Sequence, residues 1–163
     1  MVNKSLIIGT SLTGKTTLVK YLRDNLHMEV QEIDEELIRL NGGTFPEMEH
    51  KNNVLIPKIK QEVLNKDKII FFANVHYYTP EDVASARQRG FKIILLSIDR
   101  GELEARNQHR VENEGYKDQS PWLDAQLQRQ KEIEDGGLVD RVIETNRPVE
   151  DIAQELVTFL QQP

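Results

Sequence analysis

The chain contains no cysteine, which excludes disulfides, thiolate-bound metals and a thiol nucleophile. It has no apolar run near the roughly 18 residues that a membrane-spanning helix needs. Nor does it carry an excess of positive charge, since 21 Lys and Arg face 27 Asp and Glu for a net charge of -6. A general nucleic-acid binder needs a basic face to neutralise phosphates. Nucleic acid is therefore not the expected partner, although a local basic groove is compatible with this balance. Met1 to Ile8 lacks the basic start, apolar run and small-residue cleavage site of a secretory signal. No repeat, low-complexity tract or Pro/Gly/Ser-rich linker interrupts the 163 residues. These absences lead us to expect one cytoplasmic domain with no membrane contact. What is present, 38% hydrophobic and 29% charged residues, is enough to build an ordinary core.

Short apolar runs alternate with longer amphipathic ones. Ser5-Leu6-Ile7-Ile8 reads as a buried strand, and Lys15 to Leu26 as a helix with Leu18, Val19, Leu22 and Leu26 inward. Met28 to Ile33 is a weaker strand, followed by a short helix over Asp34 to Leu40 and a stop at Asn41-Gly42-Gly43. Pro46 to Asn65 reads as mostly helical with an interruption near Pro57. Ile69 to Ala73 and Ile93 to Leu96 are buried strands. Between them, Thr79-Pro80-Glu81-Asp82 opens a helix with a cap, a first-turn proline and acids at the positive dipole end. A helix from about Gly101, a polar loop over Val111 to Gln119, and a helix from Ser120 to near Gly136 follow. Val142-Ile143 and a final helix from Pro148 to Leu160 complete the chain. Fully apolar strands alternating with helices imply an α/β fold, a parallel sheet covered on both faces.

Gly9-Thr10-Ser11-Leu12-Thr13-Gly14-Lys15-Thr16 satisfies G-x-x-x-x-G-K-[ST] at every fixed position, with a strand before it and a helix starting inside it. The spacing has a chemical reason. The two glycines permit backbone angles and close approaches that a Cβ would block. The loop N–H groups then converge on phosphate oxygens, and the helix dipole adds positive potential. Lys15 would reach the β- and γ-phosphates, the Thr16 hydroxyl would hold Mg²⁺, and Thr17 extends the nucleotide contacts into the helix. The expected ligands are ATP and Mg²⁺.

A guanine-reading Asn-Lys-x-Asp and a switch Asp-x-x-Gly are both missing, which weakens the case for a GTPase switch. A motor ATPase would end a strand in Asp or Asp-Glu, whereas the Ile69 strand ends in Asn74. Asp99 has two available roles, metal-holding acid or cap of the helix that follows, and its place before Gly101-Glu102 favours the cap.

The chain resembles the small P-loop metabolite kinases, a group that includes shikimate, gluconate and nucleoside monophosphate kinases. The likeness spans nearly the whole chain, and the phosphate loop is its specific motif. In shikimate kinases the second strand ends in Asp-x-Asp, and this chain has Glu32-Ile33-Asp34 there. The resemblance implies that Glu32 lies near the metal and that Asp34 orients the acceptor hydroxyl and takes its proton. Asp34 as a helix cap and Glu32 as a solvated edge residue are the bland alternatives. The basic stretch from Arg100 to Lys117 resembles the lid of these kinases, with Arg106 and Arg110 one helical turn apart and able to clamp phosphate. A surface helix bridged by Glu102 and Glu104 would carry the same residues; His109 is expected to be exposed. Thr145-Asn146-Arg147-Pro148 matches the family's adenine-side loop in position, so Asn146 and Arg147 would frame the base, unless the segment is a plain connection. Ser120 to Leu127 resembles the post-lid helix of gluconate kinases.

The acceptor side departs from shikimate kinase. The glycine-rich end of that family's third strand is replaced by Asn74-Val75-His76-Tyr77-Tyr78, and the arginine expected after the acid pair is missing. Lys51 offers only a point charge in its place. Phe45, Asn74, His76 and Tyr77 suggest an acceptor pocket that is part aromatic and part hydrogen-bonding, or else a core edge. The expectation is a three-layer domain with a five-stranded, mainly parallel sheet, a lid over about residues 106–120 and an acceptor-side helical region over about 34–65. Its activity would be transfer of the ATP γ-phosphate to a small-molecule hydroxyl or phosphate. Lys15, Asp34, Arg106 and Arg110 would act on the reacting groups. The other classes left open are a polynucleotide-end kinase and an ATP-binding regulatory partner.

Overall fold

The apolar runs pair side by side. In the computed structural model, which describes residues 4–163, they form β1 (Lys4–Gly9), β2 (Gln31–Glu32), β3 (Ile69–Asn74), β4 (Lys92–Ser97) and β5 (Arg141–Glu144). Met1 to Asn3, the beginning of the segment inspected for an export signal, lie outside the described residues. The sheet order is β2-β3-β1-β4-β5, and every neighbouring pair is parallel. β1 therefore sits centrally, with Ile8 opposite both Ala73 and Leu95.

A parallel sheet must be covered on both faces, and the twofold side-chain alternation of strands sorts two cores. Leu6, Ile8, Phe71, Ile93 and Leu95 pack with residues of α2 (Ile33–Leu40), α4 (Ile56–Leu64) and α5 (Pro80–Gln88). Ile7, Phe72, Ile94 and Leu96 pack on the opposite side against α1 (Lys15–Leu26) and α8 (Val149–Leu160). The fold is thus the expected three-layer α/β sheet, with all five strand C-termini at one end.

Three boundaries differ from expectation, each for a local reason. β2 is only two residues long because α2 begins at Ile33, whose side chain is buried while Asp34, Glu35 and Glu36 occupy the positive first turn. α6 (Arg100–Glu114) runs through Val111 rather than giving way to a loop there. Residues 111–114 contain no helix breaker; the stop is Gly115, which takes the left-handed conformation at φ 70°. Between α3 (Met48–His50) and α4 the chain forms a π-helical stretch, Lys51–Leu55. Pro57 lacks an N–H and crowds the carbonyl four residues back, which lies in that wider turn. The expected interruption is therefore a widening of the helix and not a break.

The caps follow the chemistry of their residues. Thr79 and Asp82 make a reciprocal capping box at α5, and Asp99 caps α6 by accepting the Glu102 N–H at 2.9 Å. That bond assigns Asp99 the capping role of the two open to it.

Candidate active site

The loop after β1 is shaped by close approach and by one strained residue. A Cβ on Gly9 would meet Thr13 Oγ1 at 3.0 Å and the Leu96 carbonyl oxygen at 3.1 Å, so a larger residue would push on the loop and on β4. Gly14 sits at φ 88° immediately before α1. Leu12 is left-handed as well, at φ 69°, a conformation that costs a non-glycine residue about 1–2 kcal/mol. Its carbonyl accepts a 2.8 Å bond from Arg106 Nη1, so the strained turn is held from outside the loop. α1 has no acid in its first turn, which leaves its positive end free to act on an anion.

Lys15 lies across this loop. Its amine donates to the carbonyls of Gly9 and Thr10 at 3.1 and 2.5 Å, and to Thr13 Oγ1 at 3.4 Å. Burial pulls its pKa down to about 8, with Asp34 and then Glu32 working the other way.

The two acids stand at the carboxyl end of β2, beside the loop. Thr16 Oγ1 donates to Glu32 Oε1 at 3.1 Å. Glu32 is buried, and its pKa is raised first by that burial, against the Thr16 bond. Asp34 is not the helix cap: Glu32 occupies that position without a side-chain cap bond, and Asp34 falls in the first turn of α2. Its side chain is open to the cleft yet flanked by protein. This partial desolvation raises its pKa, against the pull of Lys15 and then Lys51. Among the described residues no group of three or more His, Asp or Glu could hold a metal by itself. Thr16 and Glu32 instead offer two adjacent hard oxygens, which suits Mg²⁺ because that ion completes its shell with water and phosphate oxygens.

These groups line one cleft of about 1290 Å³ that also exposes Phe45, Lys51, Asn74, His76 and Tyr77. The candidate acceptor residues are therefore brought together on one cleft, with Tyr77 also packed against the edge of the core. Lys51 Nζ bonds the Tyr77 hydroxyl at 3.1 Å and lies 5.5 and 5.1 Å from the Phe45 and Tyr77 ring centres. The Lys51 cation thus bonds the hydroxyl of one aromatic ring and lies near a second. Burial lowers the His76 pKa, and the charges of Arg129 and Lys51 lower it further.

The opposite rim comes from α6 and the loop after it. Arg106 and Arg110 both face the cleft, but they are held differently. Arg106 bonds Leu12 and reaches the Thr145 carbonyl at 3.5 Å, whereas Arg110 stacks on Tyr116 at 3.9 Å and pairs with Glu114. Buried Asn107 ties the 115–119 loop down by donating to Asp118 Oδ1 and Ser120 Oγ while accepting the Gln119 N–H.

Asn146 and Arg147 are not among the residues lining this cleft. The Arg147 guanidinium bonds the Glu144 carbonyl and Glu155, and it lines a separate depression of about 360 Å³ beside α8. Here Arg147 pairs with Glu155, which α8 places within reach, and does not reach the cleft.

Gln126 belongs to no motif visible in the sequence. This residue of α7 (Ser120–Asp135) is 4% exposed and accepts the Ser11 N–H at 2.7 Å. Its signal was weak: a polar residue between Leu123 and Ile133 on the inward face of an otherwise polar helix.

No family model matches this sequence, and no curated protein matches it either. Solved structures do. The shikimate kinase of Aquifex aeolicus vf5 superposes with a TM-score of 0.70 at 16% identity, over 97% of this chain and 96% of that one. A gluconokinase from Sinorhizobium meliloti 1021 gives 0.64 at 18% identity, over 98% and 92%. The shikimate kinase of Acinetobacter baumannii, in complex with shikimate, gives 0.63 at 21% identity, over 98% and 93%. The chain has the fold of the small P-loop kinases, and the likeness extends end to end on both sides.

Proposed function

We propose that this chain is an ATP-dependent phosphotransferase that moves the γ-phosphoryl group onto a hydroxyl or phosphate of a small acceptor. One observation carries it: a single cleft joins the phosphate loop, the Glu32–Asp34 acid pair and a side-chain-lined wall large enough for a second small molecule.

The residues divide the work by what each can do. The loop N–H groups and the α1 N-terminus hold the phosphates. Lys15 exchanges its loop carbonyls for phosphate oxygens, which are charged acceptors and therefore stronger ones. Thr16 and Glu32 hold Mg²⁺, which supplies positive charge to the phosphate oxygens. Asp34, on the same cleft beside the loop, orients the acceptor and takes its proton as the new P–O bond forms. Arg106, which already bridges Leu12 and Thr145, fixes the loop and the nucleotide side together. Arg110 is more loosely tethered, to Tyr116 and Glu114. It can swing onto the transferring group as the segment around residues 106–120 closes and excludes water. On the acceptor side the absence of an arginine fork argues against shikimate itself; Lys51, close to the Phe45 and Tyr77 rings, suits an acceptor with a flat or anionic portion.

The test is ATP consumption with Mg²⁺ against nucleosides, nucleoside monophosphates, sugar acids, shikimate and short oligonucleotides, with Lys15→Ala as the blank. Acceptor-dependent ADP formation is expected from one class of small molecule. Clear ATP binding with no stimulation by any acceptor would overturn the transferase in favour of a nucleotide-binding partner protein. Stimulation by oligonucleotides alone would replace the small acceptor with a polynucleotide end.

A further inference from the structure

Between the phosphate loop and the acceptor wall lies a neutral hydrogen-bond network whose donor directions can be worked out without seeing a hydrogen. Two backbone N–H groups can only donate, and they orient everything else. The Ser11 N–H lies 2.7 Å from the Gln126 carboxamide, so the atom it meets is the oxygen, Oε1. The His76 N–H lies 2.8 Å from the Asn74 carboxamide, so that contact is Oδ1 and the Asn74 nitrogen must point the other way. Asn74 Nδ2 then donates to Ser11 Oγ at 3.1 Å and to Gln126 Oε1 at 3.4 Å.

Two donors are left over. Gln126 Oε1 is fully engaged by two N–H groups, yet Nε2 has no partner among the described residues, and it is not one of the polar atoms sealed from solvent. The residue is 4% exposed and lines the cleft, so the little surface it keeps faces inward to the cleft. The Ser11 hydroxyl accepts from Asn74 and has no acceptor of its own among the described residues. With its remaining surface open to the cleft, this N–H₂ is available to a ligand there, and the packing of α7 places it against the loop.

We propose that Gln126 Nε2, together with the Ser11 hydroxyl, is a binding site for the oxygens of the terminal phosphoryl group. The inference rests on the phosphate-loop reading above and deepens it. Location favours that group over the other phosphates. Ser11 stands in the loop itself, and the same network joins it through Asn74 to the turn that carries His76 and Tyr77. The group being transferred is the one that must sit between those two walls. Neutral donors also leave the local charge to Lys15 and the arginines, so they supply direction to the oxygens without adding a further cation. Gln126 is then a contact from α7 to the γ-phosphoryl, and nucleotides without that group do not use it.

The discriminating experiment compares binding of ADP with that of a non-hydrolysable ATP analogue, both with Mg²⁺, in wild type and Gln126→Glu. Glutamate keeps an oxygen for the Ser11 N–H and the Asn74 amide while replacing the free N–H₂ with an anionic oxygen. Expected is a loss of about tenfold or more for the ATP analogue, the scale of a hydrogen bond to a charged group, with ADP affinity within about twofold of wild type. Equal weakening of both ligands, or no change in either, overturns the proposal and leaves Gln126 as a brace between α7 and the loop. A melting curve accompanies each variant. Should Gln126→Glu fail to fold, Ser11→Ala carries the test, with a smaller but equally ATP-selective loss expected and the same overturning outcomes. Wild-type protein that binds neither nucleotide would instead sink the phosphate-loop reading, and this proposal with it.

Discussion

The two walls of the cleft are made of different material. The phosphate wall is mostly backbone: loop N–H groups, the end of α1, and glycines placed where a Cβ would collide or where φ is positive. The wall proposed for the acceptor is made of side chains, Asp34, Phe45, Lys51, His76 and Tyr77, contributed by four separate stretches of chain. A backbone site needs a fixed spacing of a few residue types, so it is written locally and repeats across proteins that share the fold. A side-chain site can be rebuilt one residue at a time on the same framework. Here the first follows the spacing rule at every fixed position, while the second has its own composition. The one arginine of α2, Arg39, pairs with Glu36 and does not line the cleft, and an Asn74 network stands at the end of β3.

The largest effect should follow from breaking the phosphate wall. Lys15→Ala is expected to reduce transfer about 10²–10³-fold, the scale of losing a charged group aimed at the developing charge, as measured by ADP formation at saturating acceptor. Asp34→Asn should cost about 100-fold in transfer while leaving ATP binding within about twofold, since it removes an acid–base role and not a phosphate contact. Unchanged transfer in that variant would remove Asp34 from the chemistry.

Arg106 and Arg110 sharpen the comparison at the rim. Arg106→Ala should weaken ATP binding about five- to tenfold, because the bond that holds strained Leu12 is lost. Arg110→Ala should have little effect on ATP binding without acceptor, since its contacts are to Tyr116 and Glu114. Equal losses in the two variants, by ATP titration, would erase the distinction between them.

The smallest effect belongs to the framework behind the acceptor wall. Lys60 bonds both Asp82, at 2.7 Å, and the Tyr77 carbonyl, at 3.1 Å. Burial opposes the charged form of Asp82, but bonds from Lys60 and the Thr79 N–H outweigh it and hold its pKa below the ordinary aspartate value of 3.8. A lowered folded pKa means that the stabilisation is present above pH 3.8 and is lost as pH falls through the lower folded value. Asp82→Asn should therefore cost about 0.5–1 kcal/mol near neutrality, with the gap to wild type closing in acid, as read from melting curves across pH. ATP binding should not change.

How much was legible follows the same division. The phosphate loop, the boundaries of α1 and the capping roles of Thr79 and Asp99 could be read from the sequence, because each depends on residues within one turn of one another. Gly115 as the true end of α6 was available too, but the polar stretch before it resembled a loop; polarity alone does not stop a helix whose face is open to water. Arg147 was placed by loop position and is instead claimed by Glu155, eight residues on in the chain and brought beside it by α8. Gln126 stands 115 residues from Ser11, and no local pattern marks that pair.

By itself the sequence determined the alternation of apolar strands with amphipathic helices, and the phosphate loop at its first junction, since both arise from short-range periodicity and backbone permission. Only the tertiary structure decided which acids face the cleft, which arginine braces the loop, and that a glutamine from α7 closes the network beside Ser11. Those outcomes depend on sheet order and helix packing, which bring together side chains that carry no information about one another along the chain.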